Sequence, residues 1–306
     1  MTLSVGARAP SAAIGDDDPA LAEAIHRTIA YADLFEQAIA TAQITRYLDV
    51  SASAAAVQRA LARYTGSRWL AQDGLYCLPG RQVLFARTTQ RLTIAGAKWS
   101  RARRWAALMA CVPFVRMIGV TGSLAMNNMA ADADIDYLIV TARGHVWSTR
   151  LMLIAVVRLA RLAGDELCPN YVLSTEALRI EDQSFFTARE LRQMAPLYGL
   201  NVYKTMMALN EWSLRFLPGA DSLPPSPPEI RSGKLAQIVK TLGEALLRTP
   251  WGDWWETREM RHKIARLQQL PGAAPPHVIL SAEQCKGHFR GTHRSLATQF
   301  AERAKF

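Results

Sequence analysis

Along the chain, apolar positions change period several times, and each change marks an element. Residues 19–37, PALAEAIHRTIAYADLFEQ, repeat apolar side chains at three- and four-residue spacing behind Asp18-Pro19. An N-capping Asp and a first-turn Pro there predict a helix. Thr41 precedes AQITRYL, and Ser51 or Ser53 precedes AAAVQRALARY, predicting two further short helices. In RWLAQDGLYCLPG, Asp73-Gly74 separates two short apolar runs and predicts a two-residue hairpin. Three helices and a hairpin predict a winged-helix-like domain over 18–80.

Residues 81–104 predict a long or broken linking helix. Beyond it, FVRMIGVTGS, IDYLIVT and CPNYVLS read as short buried strands, with VWSTRLMLIAVVRLARLAG as a helix between the last two. TARELRQMAPLYG and NVYKTMMALNEWSLRFLP read as helices, closing a second domain at 105–217. A Pro-rich linker over 218–228 leads to a region, 229–306, that reads as helical and holds Trp251, Trp254 and Trp255. The expected class is α+β, with a small mixed sheet in the central domain and a helical C-terminal extension.

Half of the 306 residues are apolar, enough for two domains and an extension. The formal net charge of +10 favours anionic partners. No acid occurs between Gly74 and Ala131, whereas Arg81, Arg87, Arg91, Lys98, Arg101, Arg103 and Arg104 crowd 81–104. That stretch is a candidate contact to nucleic acid or to a triphosphate, against the simpler alternative of a solvated face. The third helix, with Arg59 and Arg63 as its only cations, is a weak reader of DNA and suits a structural or protein-docking role. Cys77, Cys111, Cys168 and Cys285 lack metal-site spacing and read as reduced thiols of a cytoplasmic protein. The N-terminal stretch reads as a frayed tail rather than a signal peptide. LMLIAVVRLARLAG is too short, and too charged at Arg158 and Arg161, to span a bilayer, so no membrane partner is expected.

The candidate chemistry lies in GVTGSLAMNNMAADADIDYLIVT, residues 119–141. Asp132, Asp134 and Asp136 alternate, so a strand would project them from one face, where they need a cation between them. Mg²⁺ or Mn²⁺, shared with substrate phosphates, is the natural neutraliser. Gly122-Ser123 closes the preceding strand, lets backbone approach a phosphate and adds a hydroxyl, and LAMNNMA behind it predicts a helix N-terminus facing the anion.

Gly122-Ser123, ten residues, then Asp134-Ile135-Asp136-Tyr137 resembles the signature of the DNA polymerase β-like nucleotidyltransferase superfamily. The wider chain, over about 20–217, resembles bacterial nucleotidyltransferase-domain proteins. The resemblance implies that Gly122 and Ser123 hold the β and γ phosphates of an NTP, ATP by default, and that Asp134 and Asp136 hold the metals. Asp132 lies outside the pattern. A third carboxylate is expected on a later strand, but CPNYVLS has none; Asn170 occupies the strand, Glu176 is the candidate and Glu166 a weaker one. Lys204 and Asn210 are candidates to reach phosphate or base, against the reading of an ordinary amphipathic helix, and Arg150 faces either the site or solvent. CKGHFRGTH, with Cys285, His288 and His293, reads as a solvated terminal segment. The implied reaction is Mg²⁺-dependent transfer of NMP to an unknown acceptor (a small molecule, an RNA end or a protein). The alternative is a nucleic-acid-binding regulator or docking subunit with a vestigial site.

Overall fold

The structure is a computed structural model that describes residues 19–269, 278–287 and 292–304. The N-terminal tail, Asp18 and His288 lie outside the described residues, as does the side chain of His293. The first unit comprises α1 (Pro19–Asp33), β1 (Ile39–Ala40), α2 (Thr41–Arg46), α3 (Ala54–Tyr64), β2 (Leu70–Gln72) and β3 (Leu75–Cys77). Ser53, rather than Ser51, caps α3, its hydroxyl accepting from the Ala56 N–H at 3.1 Å. The β2–β3 turn falls at Asp73-Gly74 as predicted, with φ of +53° and +76°. Both central residues of the favoured tight hairpin turn need positive φ, which Asp and Gly tolerate. The sheet order is β1-β3-β2, and Leu21, Ile25, Ile29, Ile44, Leu61 and Trp69 fill this unit's core.

Residues 83–104 belong to one continuous helix, α4 (Val83–Ala110), with Arg81 in the turn before it. Then follow β4 (Val115–Val120), the single-turn α5 (Gly122–Ala125), β5 (Ile135–Thr141), α6 (Val146–Leu162) and β6 (Leu167–Ser174). Next come α7 (Phe185–Gln193), β7 (Ala195–Tyr198), α8 (Leu200–Leu209), α9 (Lys234–Leu247) and α10 (Pro250–Gln268). A hairpin of β8 (Val278–Leu280) and β9 (Gln284–Gly287) precedes α11 (Thr292–Arg303). The second sheet is mixed, in order β7-β4-β5-β6-β9-β8, with only the β5–β6 pair parallel. Its two faces are covered separately. Alternation along β5 sends Ile135, Tyr137 and Ile139 toward α4 and α6, and Leu138 and Val140 toward α7 and α8. The chain is thus α+β with mixed sheets. Among the described residues, no helix is long and apolar enough to cross a membrane.

Three expectations need correction. MAPLYG is not helical: Ala195–Tyr198 pairs with β4 as an edge strand. Pro196 explains this, since the residue before a proline leaves the helical region and a sheet tolerates proline at its edge. NEWSLRF forms a short 3₁₀ turn, Glu211–Arg215, after α8. Among its described residues the C-terminal region carries, besides α9, α10 and α11, the β8–β9 hairpin, which adds to the open edge of β6 and places Cys285 opposite Val172, 4% exposed. Cys285 is therefore part of the core rather than solvated.

Polar contacts hold the first unit against the sheet's end. Gln37 donates to the Met126 carbonyl at 3.0 Å, and Asn128 donates to that of Phe35 at 2.7 Å. Beside them, Tyr31 meets Phe185, Phe186 and Phe300, the last from α11.

Candidate functional site

Where β4 ends, the backbone turns at Gly122, at a φ of +64°. The Thr121 N–H donates to the Asp136 carbonyl at 3.0 Å, so the β4–β5 ladder continues to the turn. This brings the turn against the start of β5. A Cβ on residue 122 would lie 2.3 Å from Asp136 Oδ2. Glycine is therefore required twice, by the left-handed backbone and by the carboxylate beside it. Ser123 donates its hydroxyl to the thioether of Met129 at 3.2 Å, a weak acceptor that a phosphate oxygen can outbid. The predicted helix over LAMNNMA does not form. α5 is one turn long, because Asn127 takes a φ of +54° and the Asn128 side chain is committed to Phe35.

The strand pairing determines what surrounds Asp136. In the parallel β5–β6 ladder Asp136 faces Cys168 and Tyr137 faces Pro169, after which the register shifts so that Leu138 faces Tyr171. Asn170 is the extra residue, and the bulge turns its side chain onto Asp136: Nδ2 donates to Oδ1 at 3.1 Å. Asp134, Asp136 and Cys168 each offer a ligand atom within 4.8 Å of the others. Burial pushes the Asp136 carboxyl up to about 7, and the neighbouring Asp134 adds to this. Hydrogen bonds from Asn170 and Cys168 pull the other way, and Glu190 adds a smaller upward push. The Cys168 thiol is pushed up to about 12 by burial and then by the charges of Asp136 and Asp134. Two hard oxygen donors that repel one another suit a divalent cation, and the sulfur tilts the trio toward a softer ion than Mg²⁺.

Behind this group opens a cleft of about 450 Å³, of ordinary ligand-site size. Thr121, Gly122, Ser123, Asp136, Asn170 and Glu190 form its polar side, and Tyr31, Phe35, Met126, Phe186 and Met194 its apolar side. Two cations also line it. Arg91 of α4 donates to the Phe35 carbonyl at 3.1 Å and to Asn128 Oδ1 at 3.2 Å, and Lys286 comes from β9. The apolar side is braced by Arg189, whose buried guanidinium lies 4.0 Å from the Tyr31 ring centroid and 4.4 Å from that of Tyr47. Comparison of the chain with protein-family models, curated proteins and solved structures gave no match.

Gly122, Ser123, Asp134 and Asp136 are thus brought together; the other candidates are not. Glu176 follows β6 at its far end, where Thr141 pairs with Ser174, whereas Asp136 pairs with Cys168. At about 3.3 Å per residue this leaves Glu176 roughly 20 Å from the aspartates. Lys204 is exposed on α8, outside the cleft lining. Asn210 is buried and structural, donating to the Leu178 carbonyl at 2.7 Å and accepting from the Ile180 N–H at 2.8 Å. Glu166 pairs with Arg161 at 3.1 Å, Arg150 lies against Cys285, and Asp132 is exposed outside the ligand group.

The basic stretch is largely internally satisfied. Arg81 pairs with Asp33 at 2.6 Å, Arg87 with Glu36 at 2.7 Å and Arg101 with Asp165 at 2.9 Å, and Arg103 donates to the Pro228 carbonyl. Cys168, Glu190 and Lys286 are members of the site that the sequence reading missed. The parallel pairing of β5 with β6 could have signalled Cys168; nothing local signals Lys286, which reaches the cleft only through the C-terminal hairpin.

Proposed function

We propose that the chain is a nucleotidyltransferase of the polymerase β-like type, with its first unit a winged-helix-like domain. It would move a nucleoside monophosphate from an NTP, ATP by analogy, to a hydroxyl or similar acceptor, with release of pyrophosphate. The observation that carries this reading is the convergence of the Gly122-Ser123 turn on the Asp136 carboxylate, too close for any side chain at position 122. A phosphate cradle and a carboxylate pair in contact at the mouth of one nucleotide-sized cleft are what phosphoryl chemistry needs.

Asp134 and Asp136, with Cys168 beside them, would hold Mg²⁺ or Mn²⁺, which supplies charge neutralisation at the reacting phosphorus. The Ser123 hydroxyl and the turn's backbone orient the phosphates. Arg91 and Lys286 offset their charge from the cleft wall. Asn170 fixes the rotamer of Asp136. Glu190, which lines the same cleft, takes the acceptor's proton in place of the third strand carboxylate.

A second reading, nucleotide binding without transfer, is favoured by one feature: β6 offers Asn170 and Cys168 where the resemblance expects an acid. A nucleic-acid-binding regulator is weakened by the ion pairs of Arg81, Arg87 and Arg101. Incubation with Mg²⁺ or Mn²⁺, labelled NTPs and cell extract separates the three. Pyrophosphate release with label transfer supports the enzyme. Nucleotide retention without release supports the binder, and a salt-sensitive nucleic-acid shift alone supports the regulator.

A further inference from the structure

α9 sits on the protein the wrong way round. Its inward face is polar: Lys240 donates to the Val115 carbonyl at 2.6 Å, the Ala110 carbonyl at 3.1 Å and the Tyr198 hydroxyl at 3.1 Å. One turn on, Glu244 accepts from the Phe114 N–H at 2.9 Å and pairs with Arg116 at 2.7 Å. The outward face is apolar. Leu235, Ile238, Val239, Leu242 and Leu246 form one stripe at helical spacing, exposed by 75, 55, 55, 65 and 68%. Specific polar bonds fix this orientation, so the helix cannot roll its stripe into the core without breaking them.

Charge selects the occupant. Lys234 is exposed at the start of α9, with exposed Arg231 just before it, whereas Arg248 at the other end turns back onto Glu244 at 3.2 Å. The helix's single acid, Glu244, is turned inward and paired with Arg116 and Arg248, which leaves Arg231 and Lys234 as the outward cations. A second copy of the chain packed stripe to stripe would bring these cations together with no outward acid on α9 to meet them. An anionic surface meets them directly. Trp251 and Trp254, 58 and 53% exposed at the start of α10, are the side chains that settle at a headgroup boundary. We infer that α9 is a peripheral membrane anchor that lays its apolar stripe into an anionic lipid surface, with Arg231 and Lys234 on the headgroups. The sequence expectation of no membrane partner rested on the lack of a spanning segment, which this mode of binding does not need.

The test is flotation of the full chain with phosphatidylcholine vesicles, with and without phosphatidylglycerol. The wild type floats with the anionic vesicles and not with the neutral ones. Ile238→Ser with Leu242→Ser, both at exposed positions and so neutral for the melting temperature, lowers vesicle affinity at least about tenfold. Arg231→Gln with Lys234→Gln lowers it too and flattens its salt dependence. Three results would each overturn the proposal: no flotation with anionic vesicles, flotation indifferent to the stripe substitutions, or a wild-type dimer that those same substitutions dissolve.

Discussion

Asp136→Asn should stabilise the metal-free protein at neutral pH. The carboxyl is pushed up to about 7 in the folded chain, first by burial and then by Asp134. Its ordinary value is near 3.8. Between these two values the folded state holds a proton that the unfolded state has released. Stability therefore falls as pH rises through this window and is flat above it. Three pH units at about 1.4 kcal/mol each give about 4 kcal/mol of strain above pH 7. For a chain of this size that is roughly 8 °C in melting temperature. An asparagine keeps the partner for Asn170 and carries no charge. Melts in EDTA from pH 4 to pH 8 should show a wild-type decline that the variant lacks, with the variant the more stable at pH 8. Mn²⁺ with NTP should then raise the wild-type melting temperature and leave the variant's unchanged. A variant with the wild-type pH slope, or one less stable at pH 8, would show that this carboxylate is not the source of the decline.

Six other substitutions divide the site from its surroundings. Gly122→Ala places a methyl 2.3 Å from Asp136 Oδ2 and strains a positive φ, so NTP binding should be lost, as seen by calorimetry, while Ser123→Ala should cost about three- to tenfold in turnover, one neutral hydrogen bond. Lys286→Ala should raise the KM for NTP about tenfold or more, whereas Lys204→Ala and Glu176→Gln should stay within about twofold of wild type in steady-state kinetics. Cys168→Ser should lower affinity for Mn²⁺ and Cd²⁺ by about tenfold and leave Mg²⁺ affinity nearly unchanged, read from metal-induced thermal shifts.

What the sequence revealed of this site follows from locality. Gly122, Ser123, Asp134 and Asp136 lie within one stretch, and strand alternation alone puts the two acids on one face. The β2–β3 turn was equally legible, because Asp73-Gly74 encodes its own backbone. Glu176 is close to the site's strands in sequence and far from the aspartates in space. A parallel strand carries the chain away from its starting end, and the residue just past β6 is at the opposite edge from Asp136. Lys286 and Glu190 come from elements whose placement depends on long-range packing: β9 on the edge of β6, and α7 over the sheet. The cations of α4 misled for the reverse reason. Their partners, Asp33, Glu36 and Asp165, lie outside the acid-free stretch, so a segment empty of acids in sequence is not empty of them in the fold.

Pyrophosphate release from NTP, measured with Mg²⁺ or Mn²⁺ for the wild type and for Asp132→Asn, Asp134→Asn and Asp136→Asn in the presence of acceptor-containing extract, tests the central claim most directly. We expect metal-dependent release by the wild type, near-wild-type release by Asp132→Asn, and its loss in the other two. Undiminished release in Asp134→Asn and Asp136→Asn, or loss in Asp132→Asn alone, would contradict it.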